Sequence, residues 1–147
     1  MSDLHVLCKV ADTEYVLPAA DVLQMESYVG ATKVPGAAEQ VAGLVQIRGR
    51  VVPVVDLRVM FGLPPIAPTL DSRVVVMKRA DRVVGLLVDS AREVLKIPAA
   101  DFHPPPAVMV QQTDGLVKAV AQTGKRLLML IDFIKVIGEE QDDGHER

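Results

Sequence analysis

Aspartates that close apolar runs are the first candidates for chemistry in this sequence. Asp56, Asp89 and Asp132 each follow a run of apolar residues. Some enzymes place acid–base or metal-binding carboxylates at the ends of strands. An aspartate before a short apolar turn is also typical of a helix cap, because its side chain accepts a hydrogen bond from a free backbone amide. We therefore predict helix caps at Asp56 and Asp132.

The other reactive side chains form no catalytic or metal-binding pattern. His5, His103 and His145 have no ligand-like spacing to one another or to a carboxylate. The single cysteine excludes an internal disulfide, and the sequence has neither a nucleophile elbow nor a phosphate-binding glycine loop. We predict a protein that is not an enzyme and needs no cofactor or metal. A small enzyme using Asp56 and Asp132 is the competing hypothesis.

Arg48 is the basic residue with the most distinctive surroundings. In QIRGRVVPVVDLR (46–58) it lies between two apolar runs and precedes Gly49, which allows a tight turn. One interpretation is an arginine that points into solvent at a hairpin turn. In the other, a neighbouring carboxylate or amide holds the planar guanidinium, which then fixes an interaction surface.

The charge balance argues against nucleic acid or the membrane surface as a partner. Five acidic residues and one arginine lie in the tail from Glu139, so the rest of the chain, with 15 basic and 14 acidic residues, is nearly neutral. We predict that residues 138–147 form an acidic flexible tail, because charged segments without apolar residues cannot offset the entropy of ordering. No apolar run approaches the roughly 20 residues of a membrane helix, and the first residues do not resemble a signal peptide, so we expect a cytoplasmic protein.

Short apolar runs separated by turn signals dominate the chain and predict a mainly β fold. Four hairpins are expected, with turns at Asp12-Thr13, Gly49, Ala80-Asp81 and Thr123-Gly124. A short helix is expected around residues 37–41. The proline-rich stretches 63–72 and 98–106 are predicted to be surface connections, because proline interrupts regular structure.

A short internal sequence repeat, which we call the internal echo, indicates two similar β units. Arg50-VVPVV-Asp56 and Arg126-LLMLI-Asp132 share a basic residue, five apolar residues and an aspartate, and each is followed by a short helix-like apolar segment. The two copies are 76 residues apart. Each unit should close with a strand followed by a turn of helix.

Three segments carry a resemblance to a known family. LVQIRGRVVPVVDLRVMF (44–61), RVVGLLVDSAREVLKI (82–97) and GKRLLMLIDFIKVI (124–137) resemble successive blocks of the CheW family of chemotaxis coupling adaptors. The resemblance implies one domain over 1–137, built from two five-stranded SH3-like β-barrel subdomains that share a core. Subdomain 1 is expected at about 18–84, and subdomain 2 at about 4–17 plus 85–137.

The resemblance also implies a function without catalysis. CheW-like proteins couple the cytoplasmic helical hairpin tips of chemoreceptors, the methyl-accepting chemotaxis proteins, to the regulatory domain of a CheA-type histidine kinase. The expected location is the cytoplasm, at receptor arrays, without direct membrane insertion and without nucleic acid. The alternative is a structural array component that competes for adaptor positions and does not activate the kinase.

The same resemblance suggests a receptor-binding groove, whereas the contact with the kinase is not assigned to residues. The positions that match the groove are Val22, Gln24, Met25, Arg48, Gly49, Val84, Gly85, Ala91 and Val94. The family often has glutamate where Gln24 stands, placed to pair with the arginine at position 48. Because Glu26 lies two residues further along the same strand face, we predict that it supplies the missing charge.

Overall fold

The computed structural model describes residues 3–137, and the predicted acidic tail lies outside them. The strands are β1 (Leu4–Val10), β2 (Thr13–Pro18), β3 (Val22–Ser27), β4 (Val41–Ile47), β5 (Arg50–Asp56), β6 (Arg73–Arg79), β7 (Arg82–Val88), β8 (Ser90–Lys96), β9 (Phe102–His103), β10 (Val117–Thr123) and β11 (Arg126–Ile131). The helices are α1 (Leu57–Met60) and α2 (Ala107–Gln112), and residues 133–137 are also helical. No helix in this part of the chain is long and apolar enough to cross a membrane.

The strands form two sheets, which confirms the mainly β prediction. Residues 22–88 supply a five-stranded sheet in the order β3-β6-β7-β5-β4. Residues 4–18 and 90–131 supply a six-stranded sheet in the order β8-β1-β2-β11-β10-β9, whose sixth strand is the two-residue β9. Strand β7 stays in the first sheet through Val88, so the chain changes sheets at Asp89, a few residues after the boundary predicted near residue 84.

Three apolar cores explain why the strands read as continuous apolar runs. Along β6, Val74 and Val76 belong to a core inside the first sheet, whereas Val75 and Met77 belong to a second core shared by both sheets. Successive side chains of a strand point to opposite faces, and both faces of β6 are therefore buried. A third core lies within the six-stranded sheet: Leu7, Val16, Ile97, Ala121, Leu128 and Leu130.

The four predicted hairpins form, but the first and last turns, Ala11-Asp12 and Gly124-Lys125, are each one residue from the predicted position. The pairs β1–β2, β4–β5, β6–β7 and β10–β11 are antiparallel hairpins. Strands β5 and β11, which carry the echo, each precede a helical segment and each pair in parallel with a strand of their own sheet, β7 and β2 respectively. The two units therefore repeat a local topology as well as a sequence pattern.

The helix predicted at residues 37–41 is wrong. This segment contains two consecutive turns, in which Ala37 N donates to Val34 O at 3.2 Å and Val41 N donates to Ala38 O at 3.0 Å. Pro35 and Gly36 occupy the first turn, and Gly36 has a φ of +80°. Each of the two turns has a hydrogen bond between residues three apart, no α-helical turn is present at residues 37–41, and residues 37–40 lie in a loop.

Candidate partner-binding surface

The β4–β5 turn presents Arg48 at an exposed corner. Arg48 and Gly49 have φ values of +51° and +78°, as in the two-residue turns whose twist matches that of a β-hairpin. The side chain of Arg48 is 78% exposed, and its Nε lies 3.8 Å from Oε2 of Glu26. The amide of Gln24 donates a hydrogen bond to the same Glu26 oxygen. Glu26 thus contacts both Gln24 and Arg48. This arrangement is the one required by the hypothesis that Glu26 supplies the charge missing at position 24.

This corner borders an open cleft in the first sheet. Strands β3 and β4 are the two edges of that sheet, and the cleft between them has a volume of about 740 Å³. We call it the edge cleft; its lining residues include Glu26, Tyr28, Thr32, Leu44, Gln46 and Arg48. The cleft therefore combines the Glu26–Arg48 charge pair with apolar and aromatic side chains.

Three of the predicted groove residues are buried, and a fourth, Val22, is partly buried. Val84 and Ala91 belong to the shared core, with Val22 packed against it. Gly85 is also buried, and a Cβ at this position would lie 2.4 Å from Cγ1 of Val74. Val84, Gly85 and Ala91 are inside the molecule because β7 and the start of β8 are covered by the other strands. These three residues therefore pack below the predicted groove and are not available to contact a partner directly.

Met25 and Val94 are exposed apolar residues at the border of the shared core. Met25 is 40% exposed and lies opposite Val75, a shared-core residue, in the β3–β6 ladder. Val94 is 53% exposed and lies opposite Val6 in the β1–β8 ladder, and Val6 is two residues from the shared-core residue Cys8. Among the predicted groove residues, Arg48 therefore lines the edge cleft, three are interior, and Met25 and Val94 are exposed apolar positions.

The junction between the sheets contains an ion pair that the sequence analysis did not predict. The guanidinium of Arg58 donates from Nε to Oδ1 and from Nη2 to Oδ2 of Asp89, both at 2.9 Å. The amide of Ala11, in the β1–β2 turn, donates to Oδ2 of Asp89 at 2.7 Å. Asp89 thus joins α1 to the N-terminal hairpin of the other sheet. The apolar run that Asp89 ends was visible in the sequence, but its partner lies 31 residues away.

The surroundings of Asp89 favour its charged form. Burial alone raises the pKa of this carboxyl, but the hydrogen bonds from Arg58 and from the Ala11 amide, together with the charge of Arg58, outweigh the effect and lower the pKa. The Asp56 carboxyl behaves in the opposite way. Its burial raises the pKa more than the hydrogen bonds from the Arg58 and Val59 amides lower it, and the nearby charge of Asp89 adds to the increase.

Both aspartates of the internal echo contact amides of the following helical segment. Oδ1 of Asp56 accepts a hydrogen bond from the Arg58 amide at 2.9 Å, and Asp56 is the N-cap residue of α1. Oδ1 of Asp132 accepts from the Lys135 amide at 3.2 Å. These contacts are those of helix caps.

Among the described residues, no group of three or more histidine, cysteine or acidic side chains is arranged to hold a metal ion.

The lowered pKa of Asp89 leads to a prediction on acid stability. A carboxyl whose pKa is lower in the folded state adds stability above its unfolded pKa of about 3.9 and loses it as the pH falls through the folded value. We expect the unfolding free energy of the wild type to fall below about pH 4. Asp89→Asn should remove part of that slope, as measured by urea unfolding between pH 2.5 and 7. Equal slopes for both proteins would contradict the role assigned to Asp89.

Comparison with known proteins identifies relatives of this fold and sequence. The family model described as the CheW-like domain matches residues 4–141. The chain is 29% identical over 135 residues to the chemotaxis protein CheW of Bacillus subtilis, which covers 92% of this chain and 86% of that protein. It is 33% identical over 110 residues to the chemotaxis protein CheW of Thermotoga maritima, covering 74% and 70% of the two chains.

A solved structure agrees with these sequence relatives. The crystal structure of the scaffolding protein TtCheW from Thermoanaerobacter tengcongensis superposes with a TM-score of 0.81 at 30% identity, and the match covers 90% of each chain. Its description as a scaffolding protein agrees with the prediction that the chain is not an enzyme. Since the family model spans nearly the whole sequence and the fold matches a solved relative, the chain belongs to the CheW-like domain family.

Proposed function

We propose that this protein is a cytoplasmic adaptor, recruited to receptor arrays, that couples the helical hairpin tips of chemoreceptors to a CheA-type histidine kinase. The observation that carries the proposal is the exposed Arg48 corner beside an open cleft, on a fold shared with a scaffolding relative. The adaptor has no step in which a bond is made or broken. Its effect on the kinase would follow from holding the receptor tip and the kinase in a fixed relative position.

The geometry of the first sheet suits a helical partner with both apolar and acidic residues. The apolar side chains of Leu23 and Met25 are 49% and 40% exposed on β3, and such residues can pack against the apolar face of a helix. The guanidinium of Arg48 is mostly exposed and offers planar, directional donors to a carboxylate of the partner. We infer that the partner contacts β3 and the Arg48 corner together.

Reconstitution with purified partners tests the function directly. The protein is mixed with a CheA-type kinase and membranes that contain a chemoreceptor, and phosphorylation of the kinase is followed with time. An adaptor raises the phosphorylation rate in the presence of receptor. A structural component of the array binds and leaves the rate unchanged, and a protein with no role in this system does not sediment with the receptor membranes.

The exposed arginine leads to a prediction on receptor affinity. We expect Arg48→Ala to weaken receptor binding by about tenfold or more, since a few central residues usually dominate an interface. The folded structure should persist, because the only ion pair of Arg48 among the described residues is exposed and weak. Arg79→Ala is the matched control, since Arg79 ends β6 at another hairpin turn and has a similar contact, at 4.0 Å, with Asp21. Equal losses of binding for both variants in a sedimentation titration would contradict the assignment.

The position of Glu26 leads to a separate prediction. Glu26→Gln removes the charge that faces Arg48, so the guanidinium should become less well oriented and receptor affinity should fall. The unfolding free energy should change by less than about 0.5 kcal/mol, because exposed ion pairs contribute little. Denaturant unfolding and the same binding titration give both values. Unchanged affinity together with unchanged stability would show that Glu26 does not compensate for Gln24.

A further inference from the structure

A second cavity lies on the other side of the segment that follows β3, and it is not part of the proposed receptor surface. Its volume is about 490 Å³, which is in the range of small-molecule sites. The walls are mainly apolar and include Val41, Ala42 and Leu87, while Pro65, Ile66 and Pro68 of the proline-rich connection line it from outside. We call this space the proline-side cavity.

The proline-rich connection is fixed at both ends, so the cavity has a defined wall. Near its start, the Leu63 amide donates to Arg58 O at 2.8 Å, and Nη1 of Arg58 donates to Pro64 O at 3.3 Å. At its end, Ser72 O accepts a hydrogen bond from the Tyr28 amide at 3.3 Å, and Tyr28 also lines the cavity. The prolines between these contacts restrict the backbone further. The segment 63–72 is therefore attached to its neighbours at both ends.

One charged side chain of the cavity wall is buried. Asp56 is 7% exposed and lines the proline-side cavity. Its side chain accepts a hydrogen bond from the Arg58 amide, and within residues 3–137 it takes part in no ion pair. The two other charged residues of the lining, Lys33 and Glu39, are exposed and opposite in charge. The buried end of the cavity is therefore acidic.

The neighbouring cation is already used by another carboxylate. Both Nε and Nη2 of Arg58 donate to Asp89, and Nη1 donates to Pro64 O. With both carboxylates ionised, Asp56, Asp89 and Arg58 carry a net charge of −1. Buried charges in proteins are paired or neutralised, and burial shifts Asp56 towards its neutral form. A cation in the cavity would instead favour the charged form of Asp56.

We propose that the proline-side cavity binds a small organic amine, with its ammonium group at the Asp56 carboxylate and its apolar body against the aliphatic walls. The ammonium pairs with the charged form of the Asp56 carboxyl, and the hydrocarbon part removes apolar wall surface from water. This site shares residues 28–31 with the edge cleft but uses neither Arg48 nor Glu26, which carry the proposed receptor contact. Its failure would leave the proposed adaptor function untouched.

Calorimetric titration of the full chain with cyclohexylmethylamine tests the proposal. We expect this amine to bind at least about tenfold more tightly than cyclohexylmethanol, which has nearly the same shape without the charge. Asp56→Asn should bind both compounds equally weakly. The variant keeps an oxygen that can cap α1, so circular dichroism should show an intact fold. Asp71→Asn, an exposed aspartate of the same proline-rich connection, is the matched control and should bind the amine as the wild type does.

Several results would overturn the proposal. They are equal affinity for the amine and the alcohol, unchanged amine binding by Asp56→Asn, or no binding of the amine at all. If ammonium chloride displaced the amine at equal concentration, the apolar walls would have no role and the proposal would also fail. Should Asp56→Asn not fold, Ala38→Phe provides a second test, because Ala38 is an exposed residue of the cavity wall and the larger side chain should block amine binding.

Discussion

Replacing Asp89 with alanine is expected to lower the free energy of unfolding by about 2–4 kcal/mol. The substitution removes two hydrogen bonds of 2.9 Å from Arg58 and one of 2.7 Å from the Ala11 amide. The guanidinium left behind is only 18% exposed, so water cannot fully replace the lost carboxylate. Urea unfolding followed by circular dichroism measures the change.

A second aspartate–arginine pair in the same molecule provides the control. Arg92 donates to Asp71, and these side chains are 67% and 57% exposed. Asp71→Ala should therefore change the unfolding free energy by no more than about 1 kcal/mol. If the two alanine variants lost the same stability, the junction pair would have no special role. A large loss for Asp89→Ala alone would show that this contact between the sheets is a main stabilising element.

Replacing Gly85 with alanine is expected to destabilise the first sheet by about 1–3 kcal/mol or more. The added methyl group would lie 2.4 Å from Cγ1 of Val74, and Cγ2 of Val54 would be 3.5 Å away. Both valines are fully buried and belong to the core inside that sheet. Valine has few accessible rotamers, so the clash can be relieved only by moving the strands apart. Denaturant unfolding should show a lower midpoint.

A double substitution separates this steric cause from any backbone effect. Val74→Ala removes the atom that the new methyl group would meet, so Gly85→Ala should cost less in the Val74→Ala background than in the wild type. We expect the two changes to be non-additive by about 1 kcal/mol or more, as for residues in direct contact. Strict additivity would mean that the glycine is required for another reason.

The sequence predicted the strands well because their signals are local. Alternation, valine-rich runs and turn residues are all contained within a few positions, and they located the four hairpins. The same locality explains the error at residues 37–41, where alanines favoured a helix and the neighbouring Pro35 and Gly36 favoured turns. Two short signals of opposite meaning overlapped there, and the turns prevailed.

The candidate site was less predictable because it depends on which face of each strand is covered. Val84 and Ala91 match positions of the family groove but lie in the shared core. When a strand is buried on both faces, its sequence is a continuous apolar run, so buried and surface positions cannot be told apart from residue type. The pair between Arg58 and Asp89 joins two elements 31 residues apart, and no local pattern marks such a contact. Glu26 was found because residues two apart on a strand share a face.

The order of the strands has a consequence for synthesis on the ribosome. The hairpin β1–β2 pairs with β8 and β11, which are translated much later. The sheet around residues 4–18 therefore cannot be completed until β11 has been made, whereas the sheet of residues 22–88 has all its strands earlier. Until then the nascent hairpin exposes apolar side chains and unpaired strand edges, which makes it a natural substrate for chaperones that bind extended apolar segments.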